Sequence, residues 1–106
     1  MNVTISSKTT SVDEATRAEI RDQVYFVLSR YSPRIDQVAV RVGGVGGMDG
    51  DQRRLCRLSV RIKPMGSFLV ECVEDNLESA VSRAAERAAR RLDRMFDVER
   101  DQRRLA

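Results

Sequence analysis

The chain has 106 residues, which is enough for one domain with a modest core and too few for two. Its 42% apolar and 33% charged residues exclude a wholly disordered chain and indicate a globular protein with a densely charged surface. No apolar run approaches the roughly 18 residues of a membrane span, and the N-terminus lacks the pattern of a secretory signal. We therefore expect a cytoplasmic protein with no membrane partner.

The residue types that most enzymes rely on are scarce in this sequence. It contains no histidine, so the Ser-His-Asp and Cys-His mechanisms are excluded. Two cysteines, Cys56 and Cys72, are too few for a zinc site and are expected to be free core thiols. The glycine-rich stretch at 43–50 matches no phosphate-binding motif and is expected to be a flexible hairpin tip. We therefore predict no catalytic residue, no metal, no cofactor and no enzymatic activity.

Residue spacing divides the first half of the chain into a strand, a helix and a second strand. Residues 2–7 alternate in polarity, which predicts a short strand. Ser11 is followed three residues later by Glu14, a capping box that predicts a helix over residues 12–31. Residues 36–42 alternate again, with valines on one face, and predict the second strand.

A β-hairpin is predicted next in the chain. Residues 54–63 and 67–74 alternate in polarity, and the short connection at 64–66 contains a proline and a glycine, which favour a tight turn. Pairing apolar residues across the two strands predicts the register of this hairpin. The three facing pairs would be Ile62–Phe68, Val60–Val70 and Leu58–Cys72.

A second helix is predicted over residues 75–96, and the charged tail at 97–106 either extends it or frays. Its apolar stripe comprises Leu77, Val81, Ala84, Ala88, Leu92 and Met95. The element order predicts an α+β fold, a two-layer βαβββα sandwich with both helices on one face of a mainly antiparallel four-stranded sheet. The predicted domain spans residues 1–96, followed by the tail at 97–106.

Charged side chains on the second helix are sorted by face. At about 100° per residue, four arginines fall within about 60° of one another, and the acidic residues lie on the other side. These four, Arg83, Arg87, Arg90 and Arg94, are named here the arginine ridge. The ridge is about 16 Å long, enough to reach successive phosphates, which arginine binds in bidentate fashion. The alternative is a solvated face laced with salt bridges such as Glu86–Arg90.

Two other surfaces carry arginines. On the first helix, Arg17 and Arg21 share a flank, while Tyr25 and Phe26 are expected to cover the rim of the core rather than to stack on bases. The outer face of the sheet is expected to combine cations with exposed apolar residues, which favours protection or homodimerisation over RNA binding. Its residues are Arg41, Arg57, Arg61, Lys63, Leu55, Leu69 and Val73. A protein–protein module that dimerises through this face is therefore the rival hypothesis.

The second helix opens with a segment, DNLESAVSRAAER at residues 75–87, that resembles the signature D-L-Y-A-A-I-D of ribosome hibernation-promoting factors and related ribosome-associated inhibitors. Leu77 matches the leucine of the signature, Ala80 and Val81 match its A-I pair, and Arg83 and Arg87 match basic positions that follow. The order and length of the preceding strand, helix and strand match as well, so the resemblance covers the chain to about residue 96.

The resemblance implies a short-form, single-domain member shaped like a double-stranded-RNA-binding domain. It implies a ribosome-associated translation inhibitor that binds small-subunit ribosomal RNA in the mRNA/tRNA channel and promotes ribosome hibernation. Contacts would go mainly to phosphates, with little sequence readout. The candidate RNA-binding residues are Arg83, Arg87, Arg90, Arg94, Arg91, Arg17 and Arg21.

Overall fold

The computed structural model describes residues 1–7, 12–45, 53–64 and 66–105, with side chains to residue 102. Ser11 of the predicted capping box and residues 46–50 of the predicted hairpin tip lie outside this part of the chain. The elements follow the predicted order, with a 3-10 turn at Ser29–Arg34 between the first helix and the second strand. They are β1 (Asn2–Ser7), α1 (Glu14–Leu28), β2 (Ile35–Gly44), β3 (Arg54–Ile62), β4 (Ser67–Glu74) and α2 (Leu77–Leu105).

The four strands form one sheet in the order β1-β2-β3-β4. β1 runs parallel to β2, whereas the β2–β3 and β3–β4 pairs are antiparallel, which confirms the α+β sandwich with a mainly antiparallel sheet. Alternation along the strands buries one face against both helices, as predicted. The inward residues of the two central strands are almost fully buried: Val38, Val40, Val42, Cys56, Leu58, Val60 and Ile62. Each such valine or leucine stabilises the fold by about 1.5–3 kcal/mol.

α1 is shorter than the predicted helix at both ends. Its N-cap is Asp13, whose side chain accepts a hydrogen bond from the Thr16 amide at 2.8 Å. Hydrogen bonding from the Thr16 side chain, and then from its amide, lowers the pKa of the Asp13 carboxyl. At the other end the α-helix stops at Leu28 and tightens into the 3-10 turn, which contains Pro33 and buries Tyr31. The predicted span of 12–31 was therefore wrong at its boundaries.

The β3–β4 hairpin differs from the predicted register by one pair on the same face. Val60 faces Phe68, Leu58 faces Val70 and Cys56 faces Cys72. The reason is a longer loop, closed by a hydrogen bond from the Ile62 amide to the Gly66 carbonyl at 2.9 Å. Gly66 has a φ of 132°, which side chains rarely adopt, so the glycine permits this loop. Ile62 pairs with Ile35 of β2 instead.

α2 continues through the predicted tail to Leu105. Its predicted stripe is buried between Val81 and Leu92, but Met95 is partly exposed. Phe96 packs against the core instead, with its ring 5.6 Å from that of Tyr31, and the Arg34 guanidinium lies over it. Arg34 also pairs with Glu99 at 3.0 Å, so residues beyond the sheet anchor the helix. No helix in the described ranges is both long and apolar enough to cross a bilayer.

Candidate nucleic-acid interface

α2 lies with its arginine side along edge strand β4 and its acidic side toward α1. Glu78 and Glu86 line a cavity together with Gln23 of α1. Further along the acidic side, Asp93 pairs with Arg30 of the 3-10 turn. The cavity is also lined by Arg83 of the ridge and Glu74 of β4, so the predicted sorting of charges is incomplete at this end of the helix.

A row of arginines one turn apart crosses the edge of β4. Arg83 pairs with the Glu74 carboxylate at 3.1 Å, and Arg87 donates to the Glu71 carbonyl at 3.4 Å. Arg91 lies over the Phe68 ring, 5.1 Å from its centroid. Because these contacts step backward along β4 as the helix advances, α2 runs antiparallel to the strand. Arg91 thus leans toward the sheet more than the ridge does.

All four residues of the arginine ridge are exposed. Within the described part of the chain, Arg87, Arg90 and Arg94 form no ion pair with a carboxylate, whereas Arg83 does. The Glu86–Arg90 salt bridge of the alternative hypothesis is likewise not formed among the described residues. The ridge therefore presents cations to solvent along about 16 Å of helix, with their guanidinium groups largely free to bind an anion.

The structure does not bring Arg17 and Arg21 to the ridge. Arg17 is half-buried and donates to the Ile5 carbonyl of β1 at 2.8 Å, which places its flank of α1 above the opposite edge of the sheet. Arg21, one turn further along α1, is exposed on the same flank. The two edge strands are separated by three inter-strand spacings, about 14 Å at roughly 4.8 Å each. A ligand on the ridge therefore reaches these residues only if it spans the helical layer.

The two aromatic residues of α1 have different environments. Tyr25 donates a hydrogen bond from its hydroxyl to the Met1 carbonyl at 2.7 Å and covers the start of β1, as predicted for a rim residue. Phe26 is 84% exposed, so the prediction that it covers the core rim was wrong. Helical spacing alone put both residues off the buried stripe, and it could not show that β1 reaches only one of them.

Two arginines on the outer face of the sheet, Arg57 and Arg61, are matched with acids, whereas Arg41 lies opposite Arg57 and has no acidic partner among the described residues. Two guanidinium nitrogens of Arg57 lie 2.8 Å from one oxygen of Glu71 on the neighbouring strand. Arg61 lies 4.0 Å from Asp36. The register places Leu55 beside Val73 and Leu69 beside Ser59, with the Arg57–Glu71 pair between these rows. The exposed apolar residues are thus divided by an ion pair, and dimerisation through this face stays a prediction.

The two thiols belong to the core. Cys56 and Cys72 are free, buried and directly opposite each other on β3 and β4. Burial raises the pKa of Cys56 to about 12 and also raises the pKa of Cys72, so both stay protonated near neutral pH. Across the described residues, no group of three or more acidic or cysteine side chains is placed to hold a metal ion.

The fold and this surface define a small α+β protein with an exposed basic helix side, the type of surface that binds polyanions. Residues 3–98 match the family described as "Sigma 54 modulation protein / S30EA ribosomal protein". The match spans most of the chain, and the protein therefore belongs to this family of ribosome-associated factors. A search of curated proteins gives no significant match.

Two solved structures share the fold. The N-terminal domain of Protein Y from Thermus thermophilus superposes with a TM-score of 0.73 at 18% identity, covering 90% of this chain and 99% of that one. A ribosomal subunit interface protein from Coxiella burnetii superposes with a TM-score of 0.76 at 8% identity, covering 92% of this chain and 99% of that one. These likenesses establish the fold and agree with the resemblance found in the second helix.

Proposed function

We propose that the protein is a translation inhibitor that binds small-subunit ribosomal RNA in the mRNA/tRNA channel and promotes ribosome hibernation. This places it in the cytoplasm, where ribosomes are. The observation that carries the proposal is the exposed arginine ridge, in which Arg87, Arg90 and Arg94 have no carboxylate partner among the described residues. Membership in the S30EA ribosomal protein family and the fold shared with a ribosomal subunit interface protein support it.

The mechanism follows from the shape of the ridge. Successive residues of the ridge are three or four positions apart, so their Cβ atoms are about 5–6 Å from one another along the helix. Neighbouring phosphates of one RNA strand are separated by a similar distance, and bidentate arginine contacts fix the strand without reading its bases. A protein held in this way across a channel blocks other RNA from entering it.

Sedimentation with purified small subunits tests the proposal. The protein should co-sediment at 50 mM salt and be released as salt rises, because each phosphate contact liberates condensed counterions. A variant with Arg83→Glu, Arg87→Glu and Arg90→Glu should lose co-sedimentation while its circular dichroism spectrum stays native. Retained sedimentation of this triple variant would refute the assignment of the ridge. Inhibition of translation in a reconstituted extract, lost in the same variant, tests the functional consequence.

Light scattering of the free protein separates this proposal from the rival hypothesis. A dimerisation module should form a stable dimer that is disrupted by Leu69→Asp, and it should have no affinity for ribosomes. An RNA-binding factor should remain a monomer at the same concentration, because an ion pair divides the exposed apolar residues of the sheet face.

A further inference from the structure

The arginines of the ridge are not equally available in the free protein. Arg83, at the N-terminal end of the ridge, is held by Glu74 at 3.1 Å, and the Arg83 side chain is 56% exposed. Arg90 and Arg94 are exposed and have no carboxylate partner among the described residues. A phosphate can bind Arg90 and Arg94 directly, whereas it must displace the Glu74 carboxylate to bind Arg83.

The surroundings of Glu74 strengthen its hold on Arg83. Glu74, Glu78 and Glu86 line one open cavity of about 290 Å³, and of the described residues lining it Arg83 is the one cation. Moving the Arg83 guanidinium out of this cavity leaves three carboxylates in its lining and no cation among the described lining residues. Like charges repel, so the cavity favours the state in which Arg83 stays.

We propose that Glu74 acts as an internal substitute for phosphate, which occupies Arg83 and lowers the affinity of the ridge for RNA. Glu74 is thus an affinity-setting residue of the interface, although it lies on the neighbouring strand and not on the ridge. This inference rests on the proposed function for its biological ligand, but its chemistry requires only a polyphosphate backbone. It predicts that Arg83 contributes less to binding than Arg90 or Arg94 for as long as Glu74 is charged.

A double-mutant cycle tests the inference on two ligands, small ribosomal subunits and a 16-base-pair RNA duplex. Glu74→Gln should raise the affinity for RNA about two- to five-fold, because RNA then no longer has to break the exposed Arg83–Glu74 ion pair. Arg83→Gln should change affinity by less than about two-fold in the native protein. In the Glu74→Gln background the same substitution should abolish the whole gain, because the freed arginine is what produced it.

Asp22→Asn is the matched control, because it removes one negative charge from the exposed surface of α1, where no described cation pairs with it. An equal gain from Asp22→Asn and Glu74→Gln would mean that overall charge sets the affinity and would overturn the inference. Additive effects of Arg83→Gln and Glu74→Gln would overturn it as well. If the duplex shows the predicted cycle and small subunits do not bind at all, the proposed function fails and the inference stands. If the native protein and Glu74→Gln bind neither ligand, both fail.

Discussion

Arginines occupy two exposed regions of this molecule, the ridge along α2 and the outer face of the sheet, and the two regions differ in how far acids neutralise them. On the sheet, Arg57 is paired with Glu71 and Arg61 lies near Asp36. On the ridge, Arg83 alone is paired with a carboxylate among the described residues. The side chains are chemically the same, but their local electrostatic environment is not.

The cause of this difference is the geometry of the two kinds of element. In a sheet, residues directly opposite each other on neighbouring strands are about 5 Å apart, so an arginine opposite a glutamate is paired by the register itself. Around α2 the side opposite the ridge is apolar, and the acids lie on an adjoining flank, where among the described residues none of them pairs with a ridge arginine. Sequence separation of acids and arginines into two helix sides therefore leaves the arginines available to an external anion.

The largest expected effect comes from neutralising the same number of cations in each region. Substituting glutamine for Arg87, Arg90 and Arg94 should lower affinity for small subunits at least about 100-fold, since each charged contact is worth about 1.5 kcal/mol or more. The matched variant carries glutamine at Arg57, Arg61 and Lys63 and should lose less than about three-fold. Fluorescence anisotropy at several salt concentrations measures both.

The salt dependence gives this prediction a second readout. The ridge variant should have a logarithmic salt slope shallower by about two to three, because three phosphate contacts are lost. The sheet variant should keep the native slope. Equal losses in the two variants would contradict the comparison, since they would show that total charge, and not its placement, governs binding.

The next largest effect concerns the packing of α2 against the core, which holds the ridge in position. Leu92 is fully buried on the side of α2 opposite the ridge, and Leu92→Ala should lower the free energy of unfolding by about 3 kcal/mol through lost burial and a residual cavity. Met95→Ala, at a partly exposed position one turn later, is the control. It should lower the free energy of unfolding by well under about 1 kcal/mol, because less apolar surface is buried there. Urea denaturation followed by circular dichroism measures both. Similar losses would mean that the helix is packed differently from the structure.

A smaller effect is expected at the start of α2. Asn76 accepts a hydrogen bond from the Ser79 amide at 2.8 Å and caps the helix that carries the ridge. Asn76→Ala should lower the free energy of unfolding by about 1 kcal/mol, and Asn76→Asp should restore most of it. RNA affinity of the alanine variant should stay within about two-fold of native, since the ridge begins two turns further along. A large loss of affinity would indicate that the cap itself contacts RNA.

Sequence reasoning found the fold because both periodicities are strong here. Alternating polarity around Val40 and Leu58 predicts strands, and the apolar stripe from Val81 to Leu92 predicts a helix. The order of these elements along the chain then predicts the two-layer architecture. The hairpin register was missed for a physical reason. A shift of two residues keeps every side chain on its face, so the apolar pattern could not exclude it, and the loop containing Gly66 decided it.

The candidate site was predictable in part. Helical geometry alone gives the angular positions of Arg87, Arg90 and Arg94, and their exposure follows from the opposite side being apolar. The contact between Arg83 and Glu74 was not predictable, because it depends on how α2 lies over the edge of β4. Phe26 was misassigned for a similar reason, since tertiary neighbours decide whether an aromatic residue off the stripe is covered.

The smallest predicted effect concerns the strength of the Arg57–Glu71 ion pair on the outer face of the sheet. Arg57 and Glu71 are each about two-fifths exposed, so solvent screens their attraction, and a double-mutant cycle should give a coupling energy below about 1 kcal/mol. The coupling should shrink further in 0.5 M salt, where screening acts over a few ångströms. Glu71→Gln alone should nonetheless raise RNA affinity at low salt, because it leaves Arg57 unmatched on the outer face, one strand in from the edge strand β4 that Arg87 contacts. An unchanged affinity would mean that RNA stays on the helical side of that edge, and the two regions would then be independent of each other.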